Sequence, residues 1–200
     1  ARQELKILGA LDAENSLTDI GRSLARMPVD PRIGRMLYAA GEQENCLTEM
    51  TVLAASLEIP DPRITPHEGM QAARQHHREQ AKEGCDFFAL INLYRSFQQQ
   101  QKNKTRKQLQ DWCQKNYLAP ARMREWADLV RRLRKELDGF KYALNAEPAA
   151  EEAVHRALLR GLLDQVAMKS DKGAYTGTYA KQLAIFPGSA LYKSAPKWIM

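Results

Sequence analysis

Between Leu17 and Leu37 the chain reads Leu-Thr-Asp-Ile-Gly-Arg-Ser-Leu-Ala-Arg-Met-Pro-Val-Asp-Pro-Arg-Ile-Gly-Arg-Met-Leu, and its two prolines leave little freedom in how it can fold. Pro28 has no N–H to donate and clashes with a preceding turn, so a helix running into it stops there. Before it, Thr18 offers a side-chain cap, and Ile20, Leu24 and Met27 recur at helical spacing. After it, Asp30 can accept a bond from a free backbone N–H, while Pro31 sits in a first turn where no N–H is missed. The stretch predicts two helices meeting at one tight corner. Ile33, Met36 and Leu37 carry the apolar face onward, with Arg32 and Arg35 on the wetter side.

Around this corner the remaining periodicity is mostly helical. Residues 1–11 read as the last turns of a helix ended by Gly9, followed by a turn at 12–16. Met50, Leu53, Ala54 and Leu57 mark a helix over 45–59, broken by Pro60 and Pro62, and Thr65-Pro66-His67-Glu68 predicts a restart with Thr65 as its cap. From Asp86 to Phe97 a wide apolar stripe belongs to a core helix. Residues 98–107, polar and basic, read as a solvated loop or helix end and as the segment most prone to disorder. Residues 139–148 form a linker, and a helix over 149–163 follows. The period then becomes strand-like at 166–169, 174–179 and 183–186, with turns at Asp171-Lys172-Gly173 and Pro187-Gly188.

No window approaches 18 uninterrupted apolar residues and no signal-peptide layout opens the chain, so a cytoplasmic location without membrane contact is expected. Cys46, Cys85 and Cys113 are an odd, scattered set that fits reduced, mostly buried thiols. His76 and His77 are adjacent, so their side chains diverge by about 100° on a helix and cannot chelate jointly. There is no Gly-x-x-x-x-Gly-Lys-Ser/Thr phosphate loop, no Asp-Glu-x-His motif and no nucleophile elbow, so this chain alone should be catalytically inert.

The net charge of +6 is unevenly spread: −3 over residues 1–60, +6 over 61–140 and +3 over 141–200. A polyanion, if bound, should meet the middle and end of the chain. On the helix that begins after Pro120, Met123, Trp126, Val130, Leu133 and Leu137 share one side. Arg124, Arg131 and Lys135 fall within about 40° of each other on the opposite side, with Asp128 four residues from both Arg124 and Arg132. A salt-bridged surface helix and a phosphate-tracking stripe both fit that pattern.

Several motifs, in the right order, resemble DEAH-box RNA helicases. Leu17, Thr18, Gly21, Arg22, Leu24 and Pro28-Val-Asp-Pro-Arg32 resemble their linker between winged-helix and helical-bundle (ratchet) domains. Trp112-Cys113, Asn116, Arg124 and Asp128 match a second family pattern, with Ala121 where an arginine is common and Arg122 beside it. Ile185-Phe-Pro-Gly-Ser189 is similar to the family's OB-fold motif in its bacterial HrpA-type branch.

The resemblance implies a mainly α chain: the end of a winged-helix domain over 1–30, a helical bundle over 31–145, and a connecting helix with an incomplete OB-like barrel over 146–200. The sequence would then begin inside the winged-helix domain and stop inside a sheet, leaving a strand edge unpaired. The implied function is an accessory module of an ATP-dependent 3′–5′ RNA helicase. Upstream RecA-like lobes would hold ATP and Mg, and no cofactor would bind here. The implied partners are single-stranded RNA, with DNA as an alternative, the chain's own lobes, and a protein activator. Asn116, Arg122 and Arg124 would lie near the RNA backbone on the bundle. Tyr179, Lys181, Ser189 and Lys193 would guide the strand on the barrel, Tyr179 either stacking or packing. A protein-interaction platform that binds no RNA is the alternative, and a free-standing winged-helix DNA regulator is a further one.

Overall fold

The computed structural model describes residues 2–80, 84–140, 142–170 and 173–200. Its described residues divide into two compact units, one within Ala1–Ala54, Arg132–Leu183 and Lys197–Met200, the other within Ala55–Arg131 and Ala184–Pro196.

The first unit opens with α1 (Arg2–Ile7), closed by Gly9 at φ +72°, and an antiparallel bridge from Leu11 to Leu17 around a turn. α2 (Asp19–Leu24) and α3 (Pro31–Glu42) follow, with the predicted caps in place: the Thr18 hydroxyl accepts from Gly21 N at 3.0 Å and Asp30 accepts from Arg32 N at 2.8 Å. The two arginines depart from expectation. Arg35 is 5% exposed, its Nε donating to the Leu8 carbonyl at 3.0 Å, and Arg32 pairs with Asp164 and with Glu4 (2.7 Å). Their side of α3 is covered by the end of α1 and by α9 (Glu151–Gly161), a layer that periodicity within α3 cannot reveal.

α4 (Leu47–Leu57) takes a capping side chain from the predicted linker, that of Asn145. Asn145 Oδ1 accepts from Thr48 N at 2.8 Å, its carbonyl accepts from the Thr48 hydroxyl at 3.0 Å, and its Nδ2 donates to Glu49 Oε2 at 2.8 Å. Glu49 is only 2% exposed, so this linker residue satisfies a buried carboxylate as well as a helix end. α9 then runs along α3 with Gly161 at the closest approach, where an added Cβ would lie 2.5 Å from the Arg32 carbonyl oxygen.

After α9 the chain forms β1 (Ala167–Lys169), β2 (Tyr175–Gly177), β3 (Gln182–Leu183) and β4 (Trp198–Ile199), an antiparallel sheet in the order β3-β2-β1-β4. The expected barrel is an open four-stranded sheet. Its third strand is shorter than the predicted 183–186, and residues 184–196 belong to the second unit. Asp171 and Lys172 of the predicted turn lie outside the described residues.

The second unit holds α5 (Met70–Gln80), α6 (Asp86–Asn103), α7 (Arg106–Lys115) and α8 (Pro120–Leu137) as far as Arg131. Phe88, Ile91, Tyr94 and Phe97 of α6 are buried, the Tyr94 ring lying 5.1 Å from Trp126 and the Phe97 ring 6.4 Å from Trp112. Of the two alternatives for residues 98–107 the structure has the helix end, not the loop: α6 continues to Asn103, and Thr105 and Gln108 form a reciprocal capping box that starts α7. Another expectation fails. Helix α5 begins at Met70, not at Pro66, because residues 62–64 are held extended against 117–119 and Gly69 turns the chain at φ +83°. Among the described residues no helix is long and apolar enough to cross a membrane.

Candidate nucleic-acid interface

In the second unit Asn116 and Arg122 lie beside a short antiparallel contact. Each proline in Ile59-Pro-Asp-Pro-Arg-Ile-Thr-Pro66 pushes its predecessor toward extended backbone. The strip so formed pairs with the chain after α7: Ile64 N donates to the Tyr117 carbonyl at 2.8 Å, and Ala119 N to the Pro62 carbonyl at 2.8 Å. Tyr117, at φ +53°, makes the turn between α7 and this ladder.

The ladder fixes two of the predicted residues. Arg122, at the start of α8, donates from Nη1 to the Asp61 carbonyl at 2.8 Å, so part of its hydrogen-bonding capacity is spent on the fold. Asn116 closes α7, its Nδ2 donating to the Trp112 carbonyl at 2.7 Å. Asn116 also lines a pocket of about 40 Å3, together with Arg63, His76, His77, Leu93 and Trp112 among others. Arg63 is held by Asp61, Nη2 to Oδ2 at 2.7 Å. Burial pushes the His77 pKa below the ordinary histidine value, so the ring is neutral near pH 7 and its Nε2 lies 3.2 Å from the Tyr117 carbonyl as a donor.

Arg124 is exposed on α8 and forms no ion pair among the described residues. The predicted apolar side of α8 is buried throughout: Met123, Trp126, Val130, Leu133 and Leu137 are all below a tenth exposed. The opposite stripe is thinner than expected, because Asp128 takes Arg131 at 2.5 Å rather than Arg124 or Arg132. Lys135 is exposed but lies on the part of α8 that belongs to the first unit.

The four residues expected on a barrel are divided. Ser189 and Lys193 lie in the second unit. The Ser189 hydroxyl donates to Asp86 Oδ2 at 2.6 Å while Ala190 N donates to Asp86 Oδ1 at 2.9 Å, so Asp86 clamps this turn to the start of α6 and Ser189 serves the fold. Lys193 is exposed. Tyr179 and Lys181 lie in the first unit between β2 and β3. Tyr179 is 88% exposed at φ +57°, at the rim of a pocket of about 230 Å3 that also contains the Glu4–Arg32–Asp164 cluster. The ring is not packed, which leaves its face open.

Cys46 and Cys113 are buried, and burial pushes their thiols up to about 12 and about 11. Among the described residues no group of three His, Cys, Asp or Glu could hold a metal ion. What sequence reading missed is the 61–64 strip and the Arg63, His76, His77 and Trp112 pocket wall it creates. The run of X-Pro pairs was the available sign that this strip is extended.

Residues 1–29 match the winged-helix part, and residues 30–135 the ratchet-like part, of the helicase associated domain (HA2) family. The chain is 40% identical over 185 residues to the ATP-dependent RNA helicase HrpA homolog of Haemophilus influenzae, a match that covers 92% of this chain and 14% of that protein. It is 38% identical over 202 residues to the ATP-dependent RNA helicase HrpA of Escherichia coli, covering 98% and 16%. Over 203 residues it is 28% identical to the pre-mRNA-splicing factor ATP-dependent RNA helicase prp22 of Schizosaccharomyces pombe, covering 100% and 17%. The chain therefore spans less than a fifth of the length of these relatives. With the winged-helix and ratchet-like parts matched one after the other across its first 135 residues, the chain belongs to the HA2 helicase-associated domain family.

Proposed function

We propose that this chain is the accessory module of an ATP-dependent RNA helicase and that the basic face of its second unit lines the path of single-stranded RNA. The observation that carries the reading is Arg124, an exposed guanidinium without an ion pair among the described residues. It lies on the helix whose start, through Arg122, is tied to the ladder beside Asn116. A guanidinium so placed suits a phosphate oxygen, and rigid support limits the entropy cost of binding. Tyr179 and Lys181 offer a separate contact on the first unit, an open aromatic face beside an exposed cation that suits a stacked base and its phosphate. ATP and Mg2+ would be held by lobes outside this chain, because no phosphate-loop sequence is present in it; the residues here supply contact to the strand, not hydrolysis.

The test is fluorescence anisotropy of a labelled single-stranded RNA titrated with the chain at several salt concentrations. Removing one cation that neutralises a phosphate should flatten the slope of log K against log salt by roughly 0.7. Arg124→Ala and Lys181→Ala are each expected to do so; unchanged slopes in both would refute the RNA path.

A second reading rests on the sheet. Met168 on β1 and Trp198 on β4 are register neighbours, 40% and 58% exposed, an apolar pair on an open surface that suits docking of a protein activator. Partner binding insensitive to salt and abolished in Trp198→Ala would favour it.

A further inference from the structure

The corner between α6 and α7 carries four cations in six residues: Lys102, Lys104, Arg106 and Lys107. Lys102, Arg106 and Lys107 are exposed and Lys104 is half-buried, and none of the four forms an ion pair among the described residues. The corner is built rather than loose. Thr105 Oγ1 accepts from Gln108 N at 3.4 Å, Gln108 Oε1 accepts from Thr105 N at 2.9 Å, and Leu109 and Phe97 are buried on either side of it.

The placement of these charges runs against local electrostatics. Lys102 and Lys104 end α6, where a cation is favoured. Arg106 and Lys107 are the first two residues of α7, where the helix dipole favours carboxylates, and the first turn of α7 contains no acidic residue. Asp111, one turn beyond Lys107, is the nearest acid along the chain and forms no ion pair among the described residues. Four unanswered like charges on a fixed corner lower the stability of the free chain, and an external polyanion is what removes that penalty.

We propose that the α6–α7 corner is a second docking point for the phosphate backbone of single-stranded RNA, separate from Asn116, Arg122 and Arg124. It rests on the RNA-path reading. It lengthens the footprint by the reach of Lys104, Arg106 and Lys107, and contacts of this kind to phosphate position the strand without reading its sequence.

The experiment compares four forms of the chain in the same anisotropy titration with a labelled single-stranded RNA. They are the unaltered chain, the corner triple Lys104→Gln/Arg106→Gln/Lys107→Gln, Arg124→Ala, and a charge-matched triple Arg2→Ala/Arg160→Ala/Lys197→Ala at positions of the first unit. Neutralising the three corner cations should flatten the salt slope by about 2 and weaken binding on the order of 100-fold at 0.1 M salt. The charge-matched triple should change the slope far less. Equal effects from the two triples would reduce the corner to net charge and overturn the proposal. An unchanged corner triple alongside a weakened Arg124→Ala would overturn it while leaving the RNA path standing. No binding by any form at low salt would overturn both. A second corner triple, Lys104→Ala/Arg106→Ala/Lys107→Ala, with circular dichroism on each variant, guards against unfolding as the cause.

Discussion

Gly161 is where one methyl group should tell most about how the first unit is assembled. A Cβ built there would lie 2.5 Å from the Arg32 carbonyl oxygen and 2.6 Å from Met36 Cγ, against 3.4 Å or more for ordinary contact. Backbone cannot step aside as a side-chain end can, and Met36 is 1% exposed, so α9 and α3 would have to separate by close to 1 Å. Overpacking of this kind costs about 1–3 kcal/mol. Alanine returns part of that through helix propensity, up to ~1 kcal/mol in a helix interior and less at the last residue of α9. The expected net effect of Gly161→Ala is a destabilisation of about 2 kcal/mol, or roughly 4–8 °C in melting temperature for a chain of this size. Urea denaturation gives the total, and hydrogen exchange of the α9 amides locates it. Gly139→Ala is the control, since nothing lies within 4 Å of its added Cβ. A Gly161→Ala chain as stable as that control would refute the close-packing argument.

Asn145→Ala removes the side-chain acceptor for Thr48 N and one donor to buried Glu49, with an expected cost of about 2–3 kcal/mol in urea denaturation. Asn145→Asp should not restore it, because a second carboxylate would face Glu49. Asp164 is held below the ordinary carboxylate range by hydrogen bonds from Arg32, so its contribution is present above the unfolded value near 4 and disappears as pH falls through the folded one. The stability gap between the unaltered chain and Asp164→Asn, on the order of 1 kcal/mol at pH 7 for a partly exposed pair, should therefore close as the pH falls below about 4. Asp86→Ala breaks both bonds to the 189–190 turn, and limited proteolysis should cut within 186–196 several-fold faster. An unchanged cleavage rate would show that Asp86 does not hold that segment.

Much of the fold was legible in the chain because it depends on neighbours in sequence. Thr18, Pro28, Asp30 and Pro31 dictate a corner through their own caps and missing donors, and the spacing from Met123 to Leu137 dictates which side of α8 is buried. The motifs around Asn116 and Arg124 were legible for the same reason: they lie within one helix pair, and their family resemblance needs no tertiary information.

What stayed hidden depends on partners far along the chain. Arg35 looked exposed because α3 alone has a polar side; Leu8, 27 residues away, supplies the carbonyl that its buried guanidinium meets. Residues 98–107 looked disordered by composition, yet Phe97 and Leu109 anchor the helices on either side and the Thr105 capping box fixes the turn. Ser189 looked like a group for nucleic acid to meet, but Asp86, 103 residues earlier, holds it. The sequence by itself determined where helices begin, end and turn their apolar sides, since propensity, capping and periodicity act over a few residues. Only the tertiary structure decided which cations are free and which are committed to the fold, because an ion pair is settled by distance in space, to which spacing along the chain is blind.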